Sequence, residues 1–165
     1  MAVEDELVER LGALGIAWAI CEHDAVFTVE ASAHLHGEIP GAHTKNLFLK
    51  DAAGQFWLVT APHDSRVDLK ALSGVIGSKK LSFGKAEDME RLLGISPGSV
   101  TPLAALNDKD GLVRIVLDAR LARHERVNVH PLRNTATIGL SGSGLTAFLR
   151  ETGHDILIAE VPTQP

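Results

Sequence analysis

Apolar positions along the chain change period several times, and each change marks an element. Leu7, Leu11 and Leu14 recur at near-helical spacing and Gly15 follows, which predicts an amphipathic helix over residues 3–14 with a glycine stop. Ile16, Trp18 and Ile20 then alternate with smaller residues, the period of a half-buried strand. Residues 26–35 read two ways, extended at the start and open to a short helix over 30–35 that ends at Gly37. The apolar runs 46–49 and 56–59 flank Asp51-Ala52-Ala53-Gly54, a hairpin signal, and the runs 103–106 and 112–117 flank residues 107–111 in the same manner, predicting a second hairpin. Residues 67–76 and 86–93 read as helices, the latter stopped by Gly94. A last helix is expected over 143–151 with Ser143 as its N-cap, and residues 162–165 read as a frayed tail. Strands mixed with peripheral helices, without regular βαβ alternation, predict an α+β fold with a mixed, largely antiparallel sheet. No repeat or linker divides the chain, so residues 1–165 read as one domain.

Composition narrows the setting. A chain of 165 residues that is 45% hydrophobic can bury one core, and no apolar run is long enough to span a bilayer, so no membrane partner is expected. The N-terminus is acidic through Glu4, Asp5 and Glu6 where a signal peptide would be basic, which points to the cytoplasm. Cys21 is the single cysteine, so an intramolecular disulfide and a Cys-rich zinc site are excluded; its apolar, alternating surroundings read as an inert core position. The net charge of −5 counts against coating nucleic acid by bulk electrostatics, and no specific DNA binding is expected. Any RNA contact must then be local, with Lys79 and Lys80 in one segment and Arg126 in another as candidates beside ordinary solvated charge.

Familiar catalytic patterns are missing. No G-x-S-x-G occurs, and Gly142-Ser143-Gly144, the nearest approach, precedes an apolar helical stretch. His34-Leu35-His36 brings two imidazoles together without a convincingly spaced third ligand, so no metal site is expected. No P-loop ending in G-K-[ST] is present. What remains is Thr44-Lys45-Asn46 opening an apolar run, the Gly98-Ser99-Val100-Thr101-Pro102 loop, and Asn128-Val129-His130-Pro131 closing a strand-like segment. A lysine can hold an anion or an ester oxygen, a Gly/Pro loop can aim backbone N–H and C=O groups, and a histidine can bond a small polar ligand, so together they suggest a carbonyl-and-phosphate site. Each also has a plain structural reading: Lys45 as a solvated strand-end charge, Gly98 and Pro102 as a turn, Asn46 as a loop fastener and His130 as a backbone-bonded histidine.

In their order and spacing the Lys45-Asn46 pair, the 68–70 and 77–81 stretches, the 98–102 loop and the Gly142-Ser143-Gly144 turn resemble the YbaK/prolyl-tRNA-synthetase-associated editing domains, most closely the free-standing ProX type. The resemblance implies a trans-acting deacylase that hydrolyses alanine mischarged onto proline tRNA, with the cysteine-specific YbaK branch as the near alternative within the family. A non-catalytic module that binds tRNA or a synthetase is the alternative outside that chemistry. It implies aminoacylated proline tRNA as partner, prolyl-tRNA synthetase as a transient one, and neither metal nor organic cofactor. Lys45 matches the family lysine that engages the terminal nucleotide and ester, and residues Gly98, Ser99, Val100, Thr101 and Pro102 match the loop that orients water and substrate. Asn46 and His130 would complete the polar wall, and Ile20, Val29 and Leu47 are apolar candidates for a pocket that admits alanine and excludes proline.

Overall fold

The computed structural model describes residues 3–24 and 39–164. The ambiguous 26–35 segment, with Val29 and His34, and His36 just after it lie outside the described residues. Helix α1 (Val3–Ala13) leads into strand β1 (Trp18–Glu22), followed by β2 (Ala42–Asp51) and β3 (Phe56–Pro62). Then come α2 (Leu69–Ile76), β4 (Leu81–Phe83), α3 (Ala86–Leu93), two 3₁₀ turns at Pro97–Ser99 and Pro102–Asn107, and β5 (Val113–Asp118). The chain ends with α4 (Ala119–Ala122), β6 (Val127–Val129), β7 (Ala136–Leu140), α5 (Gly142–Glu151) and β8 (Ile156–Ala159).

Local chemistry sets many of these boundaries. Asp68 caps α2 by accepting the Ala71 N–H, and Gly77 ends it in the left-handed region that a side chain disfavours. Gly94 ends α3 in the same way, its N–H reaching the Glu90 carbonyl. The Asp51 carboxylate accepts the N–H groups of Ala53 and Gln55, which closes the hairpin between β2 and β3.

One eight-stranded mixed sheet runs in the order β1-β7-β6-β2-β3-β5-β8, with β4 pairing β2 as well. The β1–β7, β7–β6, β2–β3 and β2–β4 pairs are antiparallel; β6–β2, β3–β5 and β5–β8 are parallel. This is the expected α+β class with a mixed sheet. The larger apolar cluster fills one face along the sheet, from Ile138 and Leu140 through Val127 and Val129 to Phe48, Leu58, Ile115 and Leu117, under α1, α3 and α5. A second cluster, built on Leu49, Trp57, Val59, Ala61, Leu81 and Val116 with Leu72 and Ile76 of α2, covers the opposite face at β2, β3, β4 and β5.

Four expectations need correction. Residues 103–106 are not a strand. They belong to a 3₁₀ turn that starts at Pro102 and is capped by Thr101, whose hydroxyl accepts the Leu103 N–H, and a short, wholly buried apolar run has no period by which to tell the two apart. Strand β5 therefore pairs in parallel with β3 and β8 rather than in a second hairpin. The N-cap of α5 is Ser141, not Ser143: the Ser141 hydroxyl accepts the Gly144 N–H, and Ser143 lies within the first turn. Cys21 is exposed, because β1 is an edge strand and Cys21 lies on the face away from Ile20 and the larger cluster. The chain end is pinned: Val67 bridges Thr163, the Gln164 N–H bonds the Arg66 carbonyl, and Asp118 holds the N–H of buried Val161.

Candidate functional site

Strand β2 joins the two parts of the sheet. One edge pairs with β3; the other meets β6 only at Ala42 and His43 and β4 only at Leu49 to Asp51. Lys45, Asn46 and Leu47 occupy the stretch between those two neighbours. Because side chains alternate along a strand, Lys45 and Asn46 face opposite sides of the sheet.

Asn46 faces the larger core and is fully engaged. Its amide nitrogen donates to the Val100 carbonyl at 3.2 Å, and its amide oxygen accepts the Thr60 hydroxyl at 2.5 Å. Thr60 is completely buried, so its hydroxyl fixes which way the Asn46 amide points and thereby anchors the 98–102 loop to β2. That loop is rigid in its own right: Pro97 and Pro102 each open a 3₁₀ turn, and Ser99 and Thr101 are buried. Thr60 was missed in the sequence, although a lone hydroxyl within the run 56–61 of otherwise apolar residues was its signal.

Lys45 shares the other face with Leu47 and Leu49, and its ammonium makes no hydrogen bond or ion pair among the described residues. The parallel register sets His43 against Asn128; Lys45 lies two residues further along β2, on the His43 face, and His130 follows Val129, the last residue of β6. His130 Nδ1 lies 3.2 Å from the Ala136 carbonyl. A carbonyl can only accept, so Nδ1 carries the proton and Nε2 presents a lone pair in the neutral ring. Burial pulls the His130 pKa below its usual value and the nearby His23 adds to this, against the opposing pull of the carbonyl bond. The described residues thus offer a neutral acceptor just past β6 and, on β2, an ammonium group with no hydrogen-bond or ion-pair partner among them.

The remaining site candidates spread out. Ile20 packs on the larger core and Leu47 on the second, so these two do not share a face. Lys79 and Lys80 are exposed at the turn between α2 and β4; the Lys80 carbonyl accepts the Ala52 N–H, whereas the Arg126 carbonyl accepts that of Ala42. The basic groups therefore flank β2 at its two ends, ten residues or roughly 33 Å apart along an extended strand. Among the described residues no group of three or more His, Cys, Asp or Glu could hold a metal ion, and no helix is long and apolar enough to cross a membrane.

Residues 23–148 match the family described as aminoacyl-tRNA editing domain. The chain belongs to that family. Among its relatives, prolyl-tRNA synthetase associated domain-containing protein 1 of Mus musculus is 42% identical over 158 residues, covering 93% of each chain. Prolyl-tRNA editing protein ProX of Acetoanaerobium sticklandii is 36% identical over 162 residues, 98% of this chain and 99% of that one. The crystal structure of hypothetical protein APE2540 shares the fold, with a TM-score of 0.75 at 24% identity over 94% of this chain and 98% of that one. The matched editing segment contains Lys45, Asn46, the 98–102 loop and His130, and it ends inside α5.

Proposed function

We propose that the chain, acting as one editing unit in the cytoplasm, is a trans-acting deacylase that hydrolyses the ester of alanine mischarged onto proline tRNA. The observation that carries this reading is the Asn46–Val100 hydrogen bond, which ties the 98–102 loop to the residue next to the uncommitted Lys45. The ProX relative, similar along nearly its whole length, supports the proline tRNA assignment.

In this reading the Lys45 ammonium meets the phosphate or ester oxygens of the terminal nucleotide, and loop carbonyls and N–H groups position a water molecule. The water oxygen bonds to the ester carbonyl carbon, the bond from that carbon to the ribose oxygen breaks, and the proton released by the water reaches that leaving oxygen with help from the neighbouring ribose hydroxyl. The products are free alanine and uncharged tRNA. An aminoacyl ester is already reactive, so positioning supplies most of the acceleration and no covalent enzyme intermediate is required. The neutral His130 Nε2 offers an acceptor for the substrate's ammonium or hydroxyl group.

Editing is needed because a synthetase pocket built for proline discriminates against the smaller alanine by only ~1–3 kcal/mol. A second pocket that excludes proline by size solves this, and Leu47, on the Lys45 face, is an apolar candidate for its wall among the described residues. Prolyl-tRNA synthetase is the expected transient partner. The test is release of labelled amino acid from proline tRNA charged with alanine, cysteine or proline. Fast release of alanine and slow release of proline supports the reading, and preferred release of cysteine moves the chain to the cysteine-specific branch. Release of none reduces it to a binding module.

A further inference from the structure

A cavity of about 610 Å³ opens where the start of β1, the end of β7 and the start of α5 meet, and the chemistry described so far does not use it. Its floor is small: Ala17 and Ala19 of the β1 segment and Gly139 of β7. Arg126 lies across that floor, its Nε only 2.5 Å from the position that a Cβ on Gly139 would take, so the glycine makes room for the guanidinium. Arg126 Nε is buried without an acceptor, and among the described residues the guanidinium has no hydrogen bond or ion pair. Glu125, the one acidic residue lining the cavity, is exposed and does not bond it. Leaving a buried cationic donor unsatisfied is costly, and such a group calls for an explanation by an absent partner.

The rim supplies matching donors. Along the first turn of α5 the Gly142 N–H is taken by the His124 carbonyl, the Gly144 N–H by the Ser141 hydroxyl and the Leu145 N–H by the Ser141 carbonyl. That leaves the Ser143 N–H, with the Ser143 hydroxyl 3.2 Å from that of Ser141, facing the cavity. A guanidinium, a hydroxyl and a helix-end N–H fit a tetrahedral oxyanion.

The sheet register connects this cavity to the Lys45 site. Ala19, Gly139, Asn128 and His43 form one row across four strands. Two residues on along the same face lie Cys21 and Thr137 on β1 and β7 and Lys45 on β2. Two residues along a strand is roughly 7 Å. From these positions we infer that the Arg126–Ser143 cavity holds a backbone phosphodiester of the substrate's single-stranded 3′ end, upstream of the nucleotide at Lys45. The identity of the RNA rests on the editing reading above; the phosphate chemistry does not.

The test is equilibrium binding of an uncharged RNA ending in CCA, and of the same RNA with single methylphosphonate linkages that remove one backbone charge each. Wild type is compared with Arg126→Gln and Ser143→Ala, all checked for an unchanged thermal unfolding midpoint. Arg126→Gln should weaken the all-phosphate RNA about tenfold and lower the salt slope by about one, as for loss of one charged phosphate contact. Ser143→Ala should weaken it by a smaller factor. One methylphosphonate position should weaken wild type equally and make wild type and Arg126→Gln indistinguishable. Equal weakening of every linkage variant by Arg126→Gln, or no weakening at all, would overturn the assignment. Because no ester is cleaved in this assay, it stands whether or not the deacylase reading does.

Discussion

The two ends of the sheet are built differently. Strands β3 and β5 are covered on both faces: Leu58, Ile115 and Leu117 enter the larger cluster while Trp57, Val59, Ala61 and Val116 enter the second. Strands β1, β7 and β6 contribute Ile20, Ile138, Val127 and Val129 to the larger cluster and, among the described residues, nothing to the second. Their other face carries Ala19, Cys21, Thr137, Gly139, Asn128 and Arg126, small or polar side chains that form no apolar cluster. Strand β2 passes from one regime to the other within ten residues, and Lys45 stands where the second cluster stops. The two-sided half supplies rigidity, and the other half supplies a floor of small and polar side chains fixed from behind by that rigidity.

Perturbing each half should separate stability from activity. In the two-sided half, Leu58→Ala removes a completely buried side chain and should cost ~2–5 kcal/mol, read as a lowered midpoint of denaturant unfolding, with activity per folded molecule retained. Failure to destabilise would mean that the double covering is not where the stability resides.

A smaller effect is expected from pH at His130, on the open face. Its pKa in the folded chain lies below its usual value of 6.5, so between the two values the unfolded chain binds more protons and folding stability rises with pH. Above 6.5 His130 contributes no pH dependence, and its contribution falls away as pH drops through that window. Deacylation should follow the same limb, holding near neutral pH and declining on the acid side, and His130→Asn should remove the decline. An acid limb that survives in His130→Asn would assign it to another group.

The smallest effect belongs to Cys21. On the exposed edge strand, Cys21→Ser should change stability by no more than ~0.5 kcal/mol and leave deacylation within a few-fold. Activity should also survive EDTA. Loss on chelation with recovery by zinc would bring a metal into the chemistry.

Elements with local signals were legible in the sequence. The αL glycine at Gly94 and the Asp51 turn place α3 and the first hairpin close to their observed bounds. Signals that depend on distant partners were not legible. Residues 103–106 are buried all round, the chain end is held by Arg66, Val67 and Asp118, and Cys21 lies exposed on an edge strand. For the site, Lys45, Asn46 and the 98–102 loop stood out only as an ordered set. That neighbours Lys45 and Asn46 serve opposite faces, one open and one anchoring the loop, follows from strand pairing that the linear sequence does not state.

The most direct test of the account is single-turnover deacylation of alanyl-charged proline tRNA by Lys45→Ala at saturating enzyme, beside its thermal unfolding midpoint. Removal of one positioned electrostatic donor of this kind costs ~10²–10³-fold in rate, and a side chain without a hydrogen bond or ion pair among the described residues should leave the midpoint unchanged. Lys45→Arg should recover only part of the rate, because a guanidinium fork is wider than an ammonium. The account predicts that rate loss with an intact midpoint; near-wild-type turnover in Lys45→Ala would contradict it.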